Sequence, residues 1–309
     1  MKHFINLKDV PARDLRKILK DAKKRKRLRR KSNNLDIDKG LPLKGKLLIQ
    51  MFEKSSLRTR LSFYLAIKQL GGSALTLRPD ELHLSKGGES IEDTAKILSN
   101  FGNVFMLRTD SDSKLEKFKK HLSIPIINGL SPSSHPTQIL SDIFTVEEIK
   151  KKPVSKINIT WIGDSNNVLN SLIAASIKFS FKLNIGCPKS YQPNKEILEY
   201  IKNNKNRIYI YNDPKKAATG ADVIFSDKVI SMNDRVNKSK KLNHFKKFKI
   251  NSKLLSFAKK DCIFLHCLPR GGEVDEKIFS SQKSKVWQQA LNRIHVQKSI
   301  LLYTLGKLR

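Results

Sequence analysis

The sequence predicts an α/β protein of two domains, each a central parallel sheet flanked by helices, joined by interdomain helices. Three observations predict this. Short apolar runs alternate with amphipathic stretches along almost the whole chain, the pattern of strands joined by helical crossovers. The 309 residues are enough for two hydrophobic cores. The runs also fall into two groups, separated by a helical stretch at 136–150. The first element is an amphipathic helix with Leu15, Ile18, Leu19 and Ala22 on one face. The basic run KKRKRLRRK at 23–31 forms its C-terminal half, where cations suit the negative end of the helix dipole. In the first half, strands are expected at 45–52, 74–77, 103–107 and 124–127, and helices at 57–70, 90–101 and 112–121. The stretch 136–150 reads as a linker helix, with Pro136 in its first turn and Lys-Lys-Pro at 151–153 ending it. In the second half, strands are expected at 157–162, 182–185, 207–211, 222–225 and 262–265, with helices at 167–179 and 194–203. A last helix over 287–304 has either half to pack on.

Lys and Arg number 61 against 28 Asp and Glu, a formal charge of +33. Such an excess raises nucleic-acid binding first, because phosphate neutralisation supplies most non-specific affinity. The lysines are scattered through nearly every segment, without the interleaved aromatics of a single-strand groove, and no helix-turn-helix, zinc finger or RNA-recognition motif is present. A solvated basic surface is therefore the expectation. No apolar run approaches the roughly 20 residues that cross a bilayer, and MKHFINLKDV carries no secretory pattern, so no membrane partner and a cytoplasmic location are expected. Cys187, Cys262 and Cys267 are too few for a disulfide framework and lack metal-ligand spacing, so neither staples nor a metal are expected.

In open α/β sheets ligands bind beyond the carboxyl ends of the strands, and five polar clusters stand there. Ser56-Leu57-Arg58-Thr59-Arg60 opens the helix after GKLLIQMFEK and fits an anion site of backbone N–H groups, hydroxyls and a guanidinium. Arg58 and Arg60 lie about 200° apart around a helix, so one phosphate does not engage both. Arg108 ends the strand NVFML, and His135-Pro136-Thr137-Gln138 follows a turn-rich segment, placing a histidine and a glutamine where both address one small polar group. Gly163-Asp164-Ser165-Asn166-Asn167 follows INITWI but lacks the later glycines of a dinucleotide fingerprint. The fifth cluster has two pieces, Asp227 with Ser231 and Met232 after DVIF, and His266-Cys267-Leu268-Pro269 after CIFL; an acid beside N–H donors suits an amino-acid zwitterion. Singly, each also fits a bland role: a capped helix, a surface arginine, a core histidine, an ordinary turn, a small core cysteine.

Together, in this order and spacing, the clusters resemble the aspartate/ornithine transcarbamoylase family, on its ornithine-using side. The likeness runs from MKHFINLKDVPARDLRKIL to NRIHVQKSILLY and includes GESIEDTAKILSNFGNVFMLRT. It implies a carbamoyl-phosphate domain, 1–147 plus 290–309, and an ornithine domain, 148–289, in a homotrimer. It implies that carbamoyl phosphate is held by Ser56, Leu57, Arg58, Thr59, Arg108, His135 and Gln138, completed by Cys267, Leu268 and Arg293. L-ornithine falls to Asn167, Asp227, Ser231 and Met232. Arg108, His135, Asp227 and Cys267 are the implied catalytic residues. The implied reaction joins the carbamoyl group to the δ-amine of L-ornithine, giving L-citrulline and phosphate in arginine metabolism, in the synthetic or the breakdown direction, without cofactor or metal. The alternatives are another acceptor amine, N-acylated ornithine or putrescine, and a basic nucleic-acid-binding α/β protein.

The chain departs from the family pattern in four places. Leu57 stands where a threonine is usual, which removes a hydroxyl but keeps the N–H. Asn233 replaces a glycine, although asparagine tolerates a left-handed backbone. Arg270-Gly271-Gly272 belongs to a shortened segment, and the loop from His83 to Gly88 is one residue longer, with His83 in the place of a glutamine that reaches a neighbouring subunit's carbamoyl phosphate.

Overall fold

The structure, a computed structural model, describes residues 1–78, 88–204, 207–230 and 238–308. His83, Ser231, Met232 and Asn233 lie outside the described residues. The chain separates into two compact units, Met1–Phe144 with Leu291–Arg309, and Thr145–Ala290.

The first unit runs α1 (Ala12–Leu28), β1 (Leu47–Phe52), α2 (Leu57–Gln69), β2 (Ser73–Leu77), α3 (Ile91–Phe101), β3 (Val104–Arg108), α4 (Asp112–His121) and β4 (Ile126–Leu130). Its strands form one parallel sheet in the order β2-β1-β3-β4. Strands buried on both faces read as continuous apolar runs, as LLIQMF and VFML do, whereas the edge strand β2 is largely uncovered. Ile49, Met51, Phe105, Leu107 and Ile126 pack with Ala95, Leu98, Leu115 and Phe118 of α3 and α4, and Phe105 and Phe118 stand 5.2 Å apart.

α5 (Pro136–Lys150) carries the chain across the boundary into the second unit. There follow β5 (Asn158–Ile162), α6 (Asn167–Phe179), β6 (Lys182–Gly186), α7 (Lys195–Asn203), β7 (Ile208–Tyr211), α8 (Pro214–Ala218), β8 (Val223–Ser226), α9 (Lys238–Phe245), α10 (Ser252–Leu255), β9 (Ile263–His266) and α11 (Glu276–Phe279). α12 (Val286–Thr304) then returns to the first unit. The second sheet is also parallel, in the order β7-β6-β5-β8-β9. Each expected strand is present. α8, α9, α10 and α11 were not anticipated, because these short, lysine-rich segments carry no sustained apolar period and owe their shape to Ala217, Phe245, Leu254, Leu255 and Ile278 packing in the second core.

The basic run is only partly a solvated surface. α1 stops at Leu28, and Arg29 is its C-terminal cap. Arg25 donates to Asp21 at 2.7 Å and to Asp38 at 3.3 Å, while Arg29 donates to Asp38 at 2.9 Å. Lys298 of α12, fully buried, reaches the same carboxylate at 2.6 Å. Burial pushes the Lys298 ammonium down to about 8 although Asp38 opposes it. The Asp38 carboxyl would be raised by its own burial, but the bonds from Lys298 and Arg29 outweigh this and hold it below the usual range. Among the described residues no helix is long and apolar enough to cross a membrane.

Candidate active site

Each sheet has a point where the strand order reverses, between β1 and β3 in the first unit and between β5 and β8 in the second. Crevices beyond such points are where open α/β sheets take ligands, because the two following connections leave on opposite sides.

In the first unit Phe52 of β1 is paired with Arg108 of β3 at the reversal. The Glu53 N–H donates to the Arg108 carbonyl at 2.9 Å, and the Glu53 carboxylate accepts from the Thr109 hydroxyl and the Lys114 ammonium, which fixes the loop into α2. Ser56 caps α2 in an extended conformation, yet its hydroxyl makes no bond to the helix. That hydroxyl and the first N–H groups of α2 form a donor set at the positive end of the helix dipole. The Leu57 side chain is 69% exposed, so its contribution to this loop is its backbone N–H. Arg60 turns away and lies 5.3 Å over the Phe52 ring.

Behind the loop runs a buried chain of bonds. Arg293 of α12 donates to the Thr59 hydroxyl at 2.7 Å and to the Gln138 carbonyl at 2.6 Å, and the Gln138 amide donates to Asp142 at 2.8 Å. Having accepted from a guanidinium, the Thr59 hydroxyl keeps its proton for an acceptor of its own. His135 is 4% exposed, and the Asn128 amide, donating to the Ser131 and Ser134 hydroxyls at 3.2 and 3.0 Å, fixes the turn before it. Burial first, and then the charges of Arg293, Arg108 and Arg58, keep the His135 imidazole well below its usual range. It is therefore neutral at pH 7.

In the second unit β5 leads into a turn at Gly163, whose φ of +152° favours glycine. Asn166 caps α6, its side-chain oxygen accepting from Val168 and Leu169 N–H at 3.0 and 3.1 Å. Its amide donates to one oxygen of Asp227, just past β8, at 2.9 Å, while the Cys267 thiol, just past β9, donates to the other at 2.9 Å. The turn carrying Cys267 is held from below. Leu268, at φ +60°, gives its N–H to His266 Nδ1 at 2.9 Å, so His266 carries its proton on Nε2, which meets Glu273 at 3.2 Å. Burial would raise the Glu273 carboxyl, but the bonds from His266 and the Gly271 N–H outweigh it and hold it below the usual range.

Thus in the first unit Thr59, Gln138 and Arg293 are joined, the charges of Arg58 and Arg108 reach His135, and Ser56 caps α2; in the second Asp227 meets Cys267, Leu268 follows, and Asn167 opens α6 next to Asn166. Asn166 stands in the fourth cluster without a role of its own in the sequence, whereas the structure makes it the cap of α6 and the donor to Asp227; an asparagine just before a helical stretch is the signal for such a cap. Sequence reasoning passed over Glu53 with Lys114, and Asp164 with Lys241, pairs whose partners lie far apart in the chain. Chemically, the first cluster suits an oxyanion with several negative oxygens and the second an amine. Among the described residues no three His, Cys, Asp or Glu gather to hold a metal ion.

Residues 2–148 match the family description "Aspartate/ornithine carbamoyltransferase, carbamoyl-P binding domain", and residues 155–304 match "Aspartate/ornithine carbamoyltransferase, Asp/Orn binding domain". The chain is 41% identical over 308 residues to the ornithine carbamoyltransferase of Ruthia magnifica, covering 99% of this chain and 100% of that one. With the enzyme of Agrobacterium fabrum it shares 39% over 307 residues, 99% of this chain and 98% of the relative. The solved ornithine carbamoyltransferase of Pyrococcus furiosus superposes with a TM-score of 0.91 at 35% identity, covering 99% of this chain and 97% of that one. The anabolic enzyme of Campylobacter jejuni does so with 0.89 at 35%, covering all of both. With both halves matched in chain order and each polar cluster at the reversal point of its sheet, the chain belongs to the aspartate/ornithine carbamoyltransferase family.

Proposed function

We propose that the chain transfers the carbamoyl group of carbamoyl phosphate to the δ-amine of L-ornithine, giving L-citrulline and phosphate. The observation that carries this is the buried link of Arg293 to Thr59 of α2 and Gln138 of α5, with Arg108 at the end of β3 beside Phe52 and the charges of Arg293, Arg108 and Arg58 acting at His135. A phosphate dianion with a polar carbamoyl group matches that charge. In this reading Ser56, the Leu57 N–H, Arg58 and Thr59 take the phosphate, while Arg108 and His135 donate toward the carbonyl oxygen. Gln138 acts mainly through Arg293, since both ends of its amide are already bonded. Asn167, Asp227, Ser231 and Met232 hold the amino acid, and Cys267 and Leu268 complete the site.

An alkyl amine has an ordinary pKa of about 10.4, so its reactive neutral form is scarce at pH 7 and the site has to favour it. The neutral δ-nitrogen forms a bond to the carbamoyl carbon, and negative charge develops on the carbonyl oxygen, where Arg108 and His135 stabilise it. The bond from that carbon to the phosphate oxygen then breaks, phosphate leaves with the electron pair, and the nitrogen gives its proton to the departing phosphate. Asp227 takes the α-ammonium, and with the Cys267 thiol bonded to it orients the substrate so that the δ-amine reaches the carbamoyl carbon.

The test is citrulline formation with L-ornithine, run beside N-acetylornithine, N-succinylornithine, putrescine and aspartate, with Cys267→Ala as a control. Activity confined to ornithine and strongly reduced in the variant is expected. Activity with an acylated ornithine keeps the phosphate cluster and overturns the role of Asp227 toward the α-ammonium.

We further propose that three copies assemble. α2 presents Leu57, Leu61 and Tyr64, spaced along one face, at 69%, 50% and 43% exposure, an apolar row suited to cover by a second copy. Light scattering is expected to give a trimer for the native chain and smaller species for Leu61→Asp; a trimer in both places the interface elsewhere.

A further inference from the structure

Burying an ammonium is costly unless a counter-ion takes it, so a lysine with almost no exposure marks a place where its partner matters. Lys241, on α9, is 3% exposed, and its ammonium lies 2.5 Å from the Asp164 carboxylate and 5.6 Å from the Tyr191 ring centre. Asp164 belongs to the turn between β5 and α6, two residues before Asn166. The same turn is tied by the Trp161 indole N–H donating to the Asp164 carbonyl at 3.1 Å and the Ser165 N–H donating to the Tyr191 carbonyl at 3.3 Å. Tyr191 in turn packs on Phe245 of α9, ring centres 4.9 Å apart. A helix distant in sequence thus clamps the turn whose next residues hold Asp227 and cap α6.

We propose that Lys241 is a positioning residue for the acceptor amine: through Asp164 it fixes the turn that places Asn166 and Asn167, and through Asn166 it fixes the Asp227 carboxylate and the Cys267 thiol bonded to it. The pair touches neither substrate. It rests on the carbamoyl-transfer reading, and it acts on the amino-acid half of the reaction alone. A cluster displaced by a fraction of an ångström loses affinity for the group it orients, while the phosphate cluster, built from other elements, is unaffected.

The test is steady-state kinetics of Lys241→Met, which keeps the side chain's length and removes its charge, beside Lys241→Arg and the double variant Asp164→Asn with Lys241→Met. Lys241→Met is expected to raise the KM for ornithine about 10-fold or more, with the KM for carbamoyl phosphate within about twofold. Lys241→Arg is expected to restore most of the loss, and the double variant to exceed Lys241→Met because no charge is left buried alone. Both KM values moving together, or neither, overturns the proposal. A second readout is independent of turnover. Cys187 and Cys262 are buried, with thiols pushed up to about 12, so alkylation by iodoacetamide reports on Cys267. Faster alkylation is expected in Lys241→Met and in Asp164→Asn, as the thiol is released from Asp227; an unchanged rate overturns the proposal. Native protein silent with ornithine overturns the reaction assigned above, and the alkylation rates still decide the role of Lys241. Asp164→Asn serves where Lys241→Met does not fold.

Discussion

Arg108→Ala is expected to lower the turnover of carbamoyl phosphate with ornithine ~10²–10³-fold, the usual loss when one donor to a developing oxyanion is removed. Arg108 ends β3 beside the reversal point, and its charge is one of those that keep His135 neutral. A neutral imidazole is a hydrogen-bond donor without being an acid at pH 7, so in this site it orients and the guanidinium supplies the charge. The substitution removes the stronger of the two, while the backbone of β3, held by its pairing with β1 and β4, stays in place. The variant is therefore expected to fold and to bind ornithine, and circular dichroism with steady-state kinetics checks both. Near-normal turnover would sink the assignment of Arg108.

The second large effect is on stability. The charges of Arg58, Arg108 and Arg293 all act at His135, and an anion bound there gains from their combined field. Phosphate finds that field in the folded state alone. At a concentration one hundred times its Kd it is expected to stabilise the protein by about 2.7 kcal/mol. The rise in unfolding midpoint is read by thermal denaturation with phosphate and with chloride at equal ionic strength. Arg58→Ala is expected to lose most of the rise, since it removes a ligand contact. An equal rise in both proteins would mean that phosphate acts on the scattered surface lysines.

Strands and long helices were legible because a parallel strand buried on both faces, such as VFML or IFL, is an apolar run, and because Pro136 and the residues at 151–153 mark the limits of α5. The placement of polar clusters was legible for the same reason, since the residues after each run stand at the carboxyl end of a strand. Pairings were not. Arg293 meets Thr59 across 234 positions, and Cys267 meets Asp227 across 40, separations over which local pattern carries no information. Composition misled at Arg25 and Arg29: they sit in a run that reads as solvated, yet Asp38, from a segment with no regular structure, draws them inward. The fourth cluster contains both Asn166 and Asn167, but the bond from Asn166 to Asp227, 61 positions on, is another pairing that local pattern does not carry.

The discontinuity of the first unit has a consequence for synthesis. Thr145–Ala290 is one continuous segment, so the second unit has all its residues once they leave the ribosome. The first unit does not, because Leu291–Arg309 belongs to it. A nascent chain ending before that segment has the β1–β4 strands but lacks the guanidinium that braces Thr59 and Gln138 and the ammonium that neutralises Asp38. The unit translated first is thus the last to be completed, and premature termination before Arg293 yields a chain in which Thr59 and Gln138 lack the guanidinium that joins them.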